Sequence, residues 1–300
     1  MQTNVEKLPK STLKLTVTVP SEKVKQAYEK ILTDVVNGAE IPGFRKGRAP
    51  KEMVLEKTDV SSLYGEVVNE LLKTYYSQAL KEHLIQPIAN PKVEIKEFDL
   101  DKDFTFIATI ATKPDIKIGD FRKKIKEQFE KLEKQDKTLN EERLRKGEKL
   151  EDVHIHLTVA NIIDNVVEVT EVELPEILIE DEIDRMLSRL VNQAESIGLS
   201  LDQYMKSQNK TSEQLRGEYK TTAEKNLKSE LALSKLVSDE KIEVSDKEIE
   251  EMIIASGDKT LMDQMQNDTE KWYIKSVLAK NKLISQLINE AEGEKAHDHK

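Results

Sequence analysis

Beyond Pro114 the apolar residues of this chain recur at intervals of three and four positions, and this spacing constrains the fold more than any other feature. It places one apolar stripe along each helix. The clearest stripe follows Pro175, a residue suited to the first turn of a helix, and ends at Gly198. Its members are Ile179, Ile183, Met186, Leu187, Leu190, Val191, Ala194 and Ile197. The spacing predicts an all-helical domain over residues 113–300.

Polar residues mark where several of these helices begin. In a capping box, a serine or threonine and the residue three positions later satisfy each other's backbone amides. Three such pairs occur, Ser200 with Gln203, Thr211 with Gln214 and Ser245 with Glu248. Aromatic residues make up only 5% of the chain and charged residues 35%. A compact globule of this length carries more apolar residues, so we expect an elongated domain with long helical arms.

Two stretches of the helical domain are polar enough to need separate treatment. Residues 133–149 carry only Leu139 and Leu144 as aliphatic side chains, so this stretch is either a solvated helix or a flexible segment. The tail from about residue 293 is small and charged, and we expect it to be disordered.

The first 112 residues follow a different pattern, with strands as well as helices. Apolar and polar residues alternate from Ser11 to Val19, which predicts a half-buried strand. Ser21 is the predicted cap of a helix ending at Gly38, and further helices are predicted after Pro50 and over residues 60–84. Alternation returns near residues 93–95 and 104–110. The order of one strand, helices and two antiparallel strands predicts an α+β domain over residues 1–112.

Charge and composition exclude several classes of function. The chain has no cysteine, which excludes disulfides and thiolate chemistry. The net charge is −10, but residues 1–100 hold 15 of the 47 basic and 14 of the 57 acidic residues, so the acidity lies downstream. We therefore expect no DNA binding and only a local basic patch for RNA. No secretory signal and no apolar run of membrane-spanning length are present, so a cytoplasmic protein without a membrane partner is expected.

One loop combines an aromatic residue with three cations. The octet Gly43-Phe44-Arg45-Lys46-Gly47-Arg48-Ala49-Pro50 lies between two predicted helices. Glycine permits tight turns, so the tip can project, while an exposed ring beside cations suits a surface of RNA and protein. The simpler alternative is a solvated loop whose phenylalanine folds back onto the core.

The octet and the strand-helix-helix-helix-strand-strand order around it resemble the trigger factor family. Two further stretches, Leu174-Pro175 before Glu180–Asp184 and Val244–Asp246 before Glu248-Ile249, resemble that family's C-terminal chaperone domain more weakly. The resemblance implies an ATP-independent chaperone that docks at the ribosomal exit tunnel and shields nascent or unfolded polypeptides. It implies contacts to a ribosomal protein and ribosomal RNA through Gly43, Phe44, Arg45, Lys46, Gly47 and Arg48. Weak homodimer formation is a further expectation.

The chain departs from the family in one large respect. Typical members insert an FKBP-like prolyl isomerase before the helical domain, but here strands end near Thr112 and a helical pattern begins near Phe121. The sequence therefore predicts a form without this domain and without catalytic residues. Peptidyl-prolyl isomerase activity is the alternative function, and a coiled-coil scaffold is a third, although the stripes do not hold one heptad register.

The remaining candidates are a client surface and metal sites. Met252, Ile253, Met262, Met265 and Trp272 form an apolar cluster that could accept varied partners, or could be ordinary packing between helices. His154 and His156 lie two positions apart, which on a helix points them to different faces, whereas in a strand they could bind a metal together; a structural role is favoured. No nucleotide-binding loop is present, and we expect neither a cofactor nor a metal.

Overall fold

A computed structural model describes residues 1–96, 98–146, 156–256 and 268–293. The chain divides into two compact units. The first unit comprises Met1–Pro114 together with Leu174–Asp181, and the second comprises Asp115–Glu173 together with Glu182–Lys300. Within the described ranges, no helix is long and apolar enough to cross a membrane.

The first unit contains a four-stranded antiparallel sheet. Its strands are β1 (Gln2–Leu8), β2 (Thr12–Val19), β3 (Lys92–Ile95) and β4 (Phe104–Ala111), in the order β1-β2-β4-β3. The three predicted strands are confirmed. Strand β1 was not predicted, because this edge strand reads QTNVEKL, and an edge that buries little needs no regular alternation of apolar residues.

Three helices complete this unit, namely α1 (Ser21–Gly38), α2 (Lys51–Lys57) and α3 (Val60–Glu82). The core packs one sheet face against α1 and α3, and each fully buried aliphatic or aromatic side chain contributes about 1.5–3 kcal/mol. Its buried members are Leu15, Val17, Val19, Val24, Val67, Leu71, Ala79, Phe104, Phe106, Ala108 and Ile110. These helices and the sheet form the rigid base from which the loop between α1 and α2 projects.

The start of α1 corrects one prediction. Ser21 does not cap the helix with its side chain; it is the first helical residue, after Pro20. The Ser21 backbone N–H instead donates to Oδ1 of Asp103 at 2.9 Å. A carboxylate distant in the sequence therefore satisfies the helix N-terminus and ties it to the turn before β4.

The second unit is mainly helical, as predicted. Its helices are α4 (Phe121–Arg145), α5 (Val159–Glu168), α6 (Glu176–Ser196, beginning in the first unit), α7 (Leu201–Ser207), α8 (Ser212–Asp239), α9 (Asp246–Ser256) and α10 (Asp268–Glu292). All three predicted capping boxes are confirmed by reciprocal hydrogen bonds. The solvated-helix alternative is confirmed as far as Arg145, whereas 147–149 and the tail from 294 lie outside the described residues.

One small sheet interrupts the predicted all-helical pattern. Strands β5 (Ile116–Ile118) and β6 (Thr170–Val172) pair antiparallel within the second unit. Each strand has only three residues, too few for alternation to be distinguished from a helical pattern in the sequence. The pairing joins the segment before α4 to the segment after α5, and so fixes the entry of α4 into the core.

The main core of this unit lies where α4, α5, α8 and α10 meet. Its buried residues are Phe121, Ile125, Leu157, Ile162, Val166, Ala232, Leu233, Leu236, Leu283, Ile284 and Leu287. At its edge Arg122 donates to Glu240 at 2.9 Å and to Glu290 at 3.0 Å, and its guanidinium lies over the Phe121 ring. The hydrogen bond to Glu240 is the main reason that the pKa of Arg122 is raised. Together the two hydrogen bonds tie the ends of α8 and α10 to the start of α4.

Candidate functional site

The loop between α1 and α2 is built from two consecutive tight turns. In the first, the Phe44 N–H donates to the Ile41 carbonyl at 3.0 Å. Pro42 supplies the second position of this turn, and Gly43 has a φ of +91° at the third. A positive φ at the third position alone defines a type II turn, in which proline and glycine are the favoured central residues. The Pro42-Gly43 pair in the sequence therefore determines this turn.

The second turn, over residues 45–48, follows the first directly and also has a glycine at its third position. The Arg48 N–H donates to the Arg45 carbonyl at 2.9 Å, and Gly47 has a φ of +71°. The Gly47 N–H also donates to the Ala39 carbonyl at 3.1 Å, which closes the base of the loop. A Cβ at Gly47 would lie 2.7 Å from the Asn37 carbonyl oxygen, a distance that requires the backbone to shift. Only glycine fits this position without strain.

A small apolar cluster anchors the loop on both sides. Ile41, Ala49 and Val54 are buried together, with Val35, Val36 and Ala39 packed against them. Ile41 precedes the turns and Ala49 follows them, so their burial fixes both ends of the seven-residue segment between them. Because the anchors are buried and both turns are hydrogen bonded, the backbone of the loop is restrained before a partner binds.

The tip presents one ring and two unpaired cations. Phe44 is 42% exposed and does not belong to the apolar cluster that anchors the loop. Arg45 and Arg48 are exposed, and neither forms an ion pair within the part of the chain that the structure describes. Lys46 differs, because its Nζ lies 3.1 Å from a carboxylate oxygen of Glu40. The tip can therefore offer an apolar contact and two guanidinium groups to an acidic or phosphate-bearing surface.

The two loop glycines are expected to respond differently to substitution. Both have positive φ, so alanine is expected to cost about 1 kcal/mol at either position. A Cβ at Gly43 meets nothing within 4 Å, whereas at Gly47 it meets backbone. Gly47→Ala is therefore expected to destabilise the first unit more than Gly43→Ala does. We expect its total loss of unfolding free energy to be about 1–3 kcal/mol. Urea denaturation followed by circular dichroism measures this, and equal losses would show that the loop absorbs the clash.

The predicted client-binding residues do not share one surface. Ile253 is only 2% exposed and packs in a buried cluster with Val244, Ile249, Ile274 and Ala279, because this face of α9 turns towards α10. Ile253 is therefore a core residue, which corrects its choice as a surface contact. Met252 is half-buried against the same cluster, whereas Trp272 is 68% exposed. Met262 and Met265 lie outside the described residues.

Other apolar side chains near these positions are exposed instead. Ile254 on α9 and Tyr273 on α10 are 67% and 65% exposed, and Val277 follows Tyr273 by one helical turn. Exposed apolar side chains mark a surface that binds another molecule where they form a contiguous patch, so these residues are candidate contacts. The sequence did not separate Ile254 from Ile253, because either could face the core of a helix of this length.

Ion pairs also join α9 to α10. Lys271 lies 2.7 Å from Asp246, and Lys282 lies 2.7 Å from Glu248 and donates to the Glu243 carbonyl at 3.0 Å. The hydrogen bond from Lys282, together with those from Ser245, lowers the pKa of Glu248 to about 2. Glu248 therefore stays ionised at neutral pH while it serves both its capping box and the contact with α10.

Of the two candidate histidines, His156 has a structural explanation. Nδ1 of His156 lies 3.1 Å from the buried carboxylate of Glu292, which also accepts from the Leu157 N–H at 2.6 Å. His154 lies outside the described residues. Among the described residues, no group of three or more histidine, aspartate or glutamate side chains is placed to hold a metal ion.

Comparison with known proteins gives consistent matches over both units. A family model described as "Bacterial trigger factor protein (TF)" matches residues 1–146, and one described as "Bacterial trigger factor protein (TF) C-terminus" matches residues 117–299. Proteins named Trigger factor from Staphylococcus epidermidis and Staphylococcus aureus are 37% and 35% identical over 133 residues. The matched stretch covers 44% of this chain and 29% of each relative.

One solved structure resembles the whole described fold. It comes from work on promiscuous substrate recognition in folding and assembly activities of the trigger factor chaperone. It superposes with a TM-score of 0.63 over 97% of this chain and 100% of its own, at 16% sequence identity. At this identity the likeness establishes the fold alone, including the succession of an α+β unit and a helical unit.

Proposed function

The chain belongs to the trigger factor family of bacterial chaperones, and from that premise we propose that it docks at the ribosome and shields emerging polypeptides without ATP. In this proposal residues 1–112 bind the ribosome, and residues 113–300 bind nascent or unfolded chains. The protein accordingly acts in the cytoplasm, where ribosomes translate. No nucleotide-binding loop occurs in the sequence, which supports holding without nucleotide hydrolysis.

The geometry of the loop carries the docking proposal. The ribosome surface combines RNA phosphates with protein side chains, and the tip offers a matching combination of guanidinium groups and an exposed ring. Arg45 and Arg48 are unpaired in the described structure, so no internal ion pair must break before they meet phosphates or carboxylates. The buried anchors Ile41 and Ala49 limit the loss of conformational entropy on binding.

Co-sedimentation tests this proposal directly. The full chain is incubated with purified ribosomes and pelleted at several salt concentrations. We expect binding at low salt that weakens as salt rises, because cation contacts to phosphate release counterions on binding. A chain that stays in the supernatant at every salt concentration would refute the docking proposal.

Client holding is proposed for the second unit. Ile254, Trp272 and Tyr273 are exposed apolar side chains on two helices whose packing is fixed by buried residues and ion pairs. Each contact with an unfolded chain would be weak, but several contacts together retain it reversibly. Such binding shields aggregation-prone segments during their slowest folding steps.

We further propose that the chain is not an enzyme. Strand β4 ends at Ala111 and α4 begins at Phe121, with only β5 between them, so no FKBP-like domain occupies this position. The two family models likewise match the N-terminal and C-terminal domains of the family.

The purified chain is expected not to accelerate prolyl isomerisation. A short proline-containing peptide is the substrate of choice, because catalysis on it requires neither a ribosome nor chaperone binding. We expect the observed rate to equal the uncatalysed rate, with relaxation over about 10–100 s at 25 °C. An FKBP-type isomerase serves as the positive control, and a rate that rises with the concentration of this chain would contradict the prediction.

A further inference from the structure

The three cations at the tip of the loop are not electrostatically equivalent. Arg45 and Arg48 have no ion pair in the described part of the chain, but Lys46 lies 3.1 Å from Glu40. The hydrogen bond from Gly47 to Ala39 closes the loop and brings the residues just inside it, Glu40 and Lys46, to face each other. The pairing therefore follows from the backbone of the loop.

This ion pair contributes little to folding. The Lys46 and Glu40 side chains are 63% and 74% exposed, and solvent screens the attraction between them. The fold of the loop already rests on its two turns, on Gly47 and on the buried anchors. Pairs between exposed side chains of this kind add little to stability. Its consequence must be sought at the binding surface.

We propose that Glu40 is a built-in competitor for Lys46, which weakens the loop's attraction to anionic surfaces. This inference rests on the proposed ribosome docking. Lys46 must leave Glu40 to reach a phosphate, so part of its favourable charge interaction is cancelled. The Glu40 carboxylate also stays beside the tip, where it repels the same phosphates. The competitor therefore favours reversible docking.

The opposite role would give an effect of opposite sign. If Glu40 instead held Lys46 in the orientation that the ribosome requires, its removal would weaken docking. An exposed pair with flexible side chains is poorly suited to hold one orientation, because ordering a lysine costs side-chain entropy. Competition is therefore the favoured role, and the direction of change in affinity distinguishes the two.

Glu40→Gln tests the competitor, with Glu52→Gln as the matched control. Both substitutions remove one negative charge from an exposed position near the loop, but Glu52, in the first turn of α2, has no ion pair in the described structure. We expect Glu40→Gln to tighten ribosome binding about threefold at low salt. The slope of log binding constant against log salt concentration should become steeper by up to about 0.9. Glu52→Gln is expected to have a smaller effect.

Lys46→Ala in the wild-type and Glu40→Gln backgrounds completes the cycle. Competition predicts that losing Lys46 weakens binding more when Glu40 is absent, since the freed lysine then contributes its full charge. Circular dichroism confirms that each variant is folded. If the wild type binds but Glu40→Gln and Glu52→Gln have equal effects, this inference alone is overturned. The same holds if Glu40→Gln binds more weakly than the wild type. Absence of wild-type binding overturns the docking proposal and this inference together.

Discussion

Replacing Phe44, Arg45 and Lys46 together with alanine is expected to abolish ribosome association and to leave the chain folded. The three side chains are exposed, and substitutions at exposed positions usually change stability by less than about 0.5 kcal/mol each. Anchoring aromatic and arginine residues, in contrast, carry much of the binding energy of an interface. Losing both is expected to weaken binding at least about 100-fold.

Single substitutions separate the contributions of charge and ring. Arg45→Ala is expected to weaken binding and to flatten its salt dependence. The variant has one cation fewer to neutralise phosphates, so fewer counterions are released on binding. Phe44→Ala is expected to weaken binding with the salt dependence nearly unchanged, because an apolar contact is not screened by salt. Arg48 supplies a second unpaired guanidinium, so some salt dependence should remain in Arg45→Ala.

Ribosome pelleting across a salt series measures all of these variants. Circular dichroism establishes that each one is folded, and Lys113→Ala, outside the loop, serves as a control that also loses one cation. Pelleting of the folded triple variant at the wild-type level would remove the main support for docking through this loop. A salt dependence that is equally flattened by Phe44→Ala would show that the ring acts by positioning the cations.

The sequence contained enough information to locate the loop but not its electrostatics. Tight turns at the glycines of this loop could be inferred because glycine has a strong, local backbone preference. The pairing of Glu40 with Lys46 could not, because it depends on the hydrogen bond between Gly47 and Ala39 that closes the loop. Local chemistry predicts turns well, whereas contacts across a loop require its three-dimensional path.

The distinction between local and long-range contacts also explains where the rest of the fold differs from the sequence-based prediction. Strong helical stripes and capping boxes were readable because their periodicity and spacing are local. Strand β1 and the β5–β6 pair are short or lie at an edge, so their formation depends on partners that the sequence does not identify. Asp103 caps α1 from a distant turn for the same reason, which is why the nearby Ser21 was the more obvious candidate.

Adjacent residues on one helix gave the most instructive error. Ile253 and Ile254 are both β-branched, apolar and close to the end of α9, yet one is buried and the other is exposed. Neighbouring positions on a helix point about 100° apart, so a helix that packs along a narrow stripe can bury one and expose the other. The phase of a short helix is set by the helix it packs against, here α10 through Ile274.

Substituting the exposed apolar residues of α9 and α10 is expected to remove most of the holding activity. The variant Ile254→Gln, Trp272→Gln, Tyr273→Gln keeps good helix formers at exposed positions, so the fold should be retained. Two aromatic residues can bury about 150–250 Å² each on a bound chain, which makes them the largest apolar contacts available there. The concentration of chaperone needed to suppress aggregation should rise at least about tenfold.

Light scattering from an unfolded client enzyme, diluted into excess full-length chaperone without ATP, measures this activity. The matched control, Ile254→Leu, Trp272→Phe, Tyr273→Phe, preserves apolar side chains and should suppress scattering as the wild type does. Trp272 is the only tryptophan in the chain, so its fluorescence should also shift to shorter wavelength when a tryptophan-free client covers it. Suppression by the glutamine variant at the wild-type level would place client binding elsewhere. No suppression by the wild type would refute the holding proposal itself, because exposed apolar surface would then have no measurable affinity for unfolded chains.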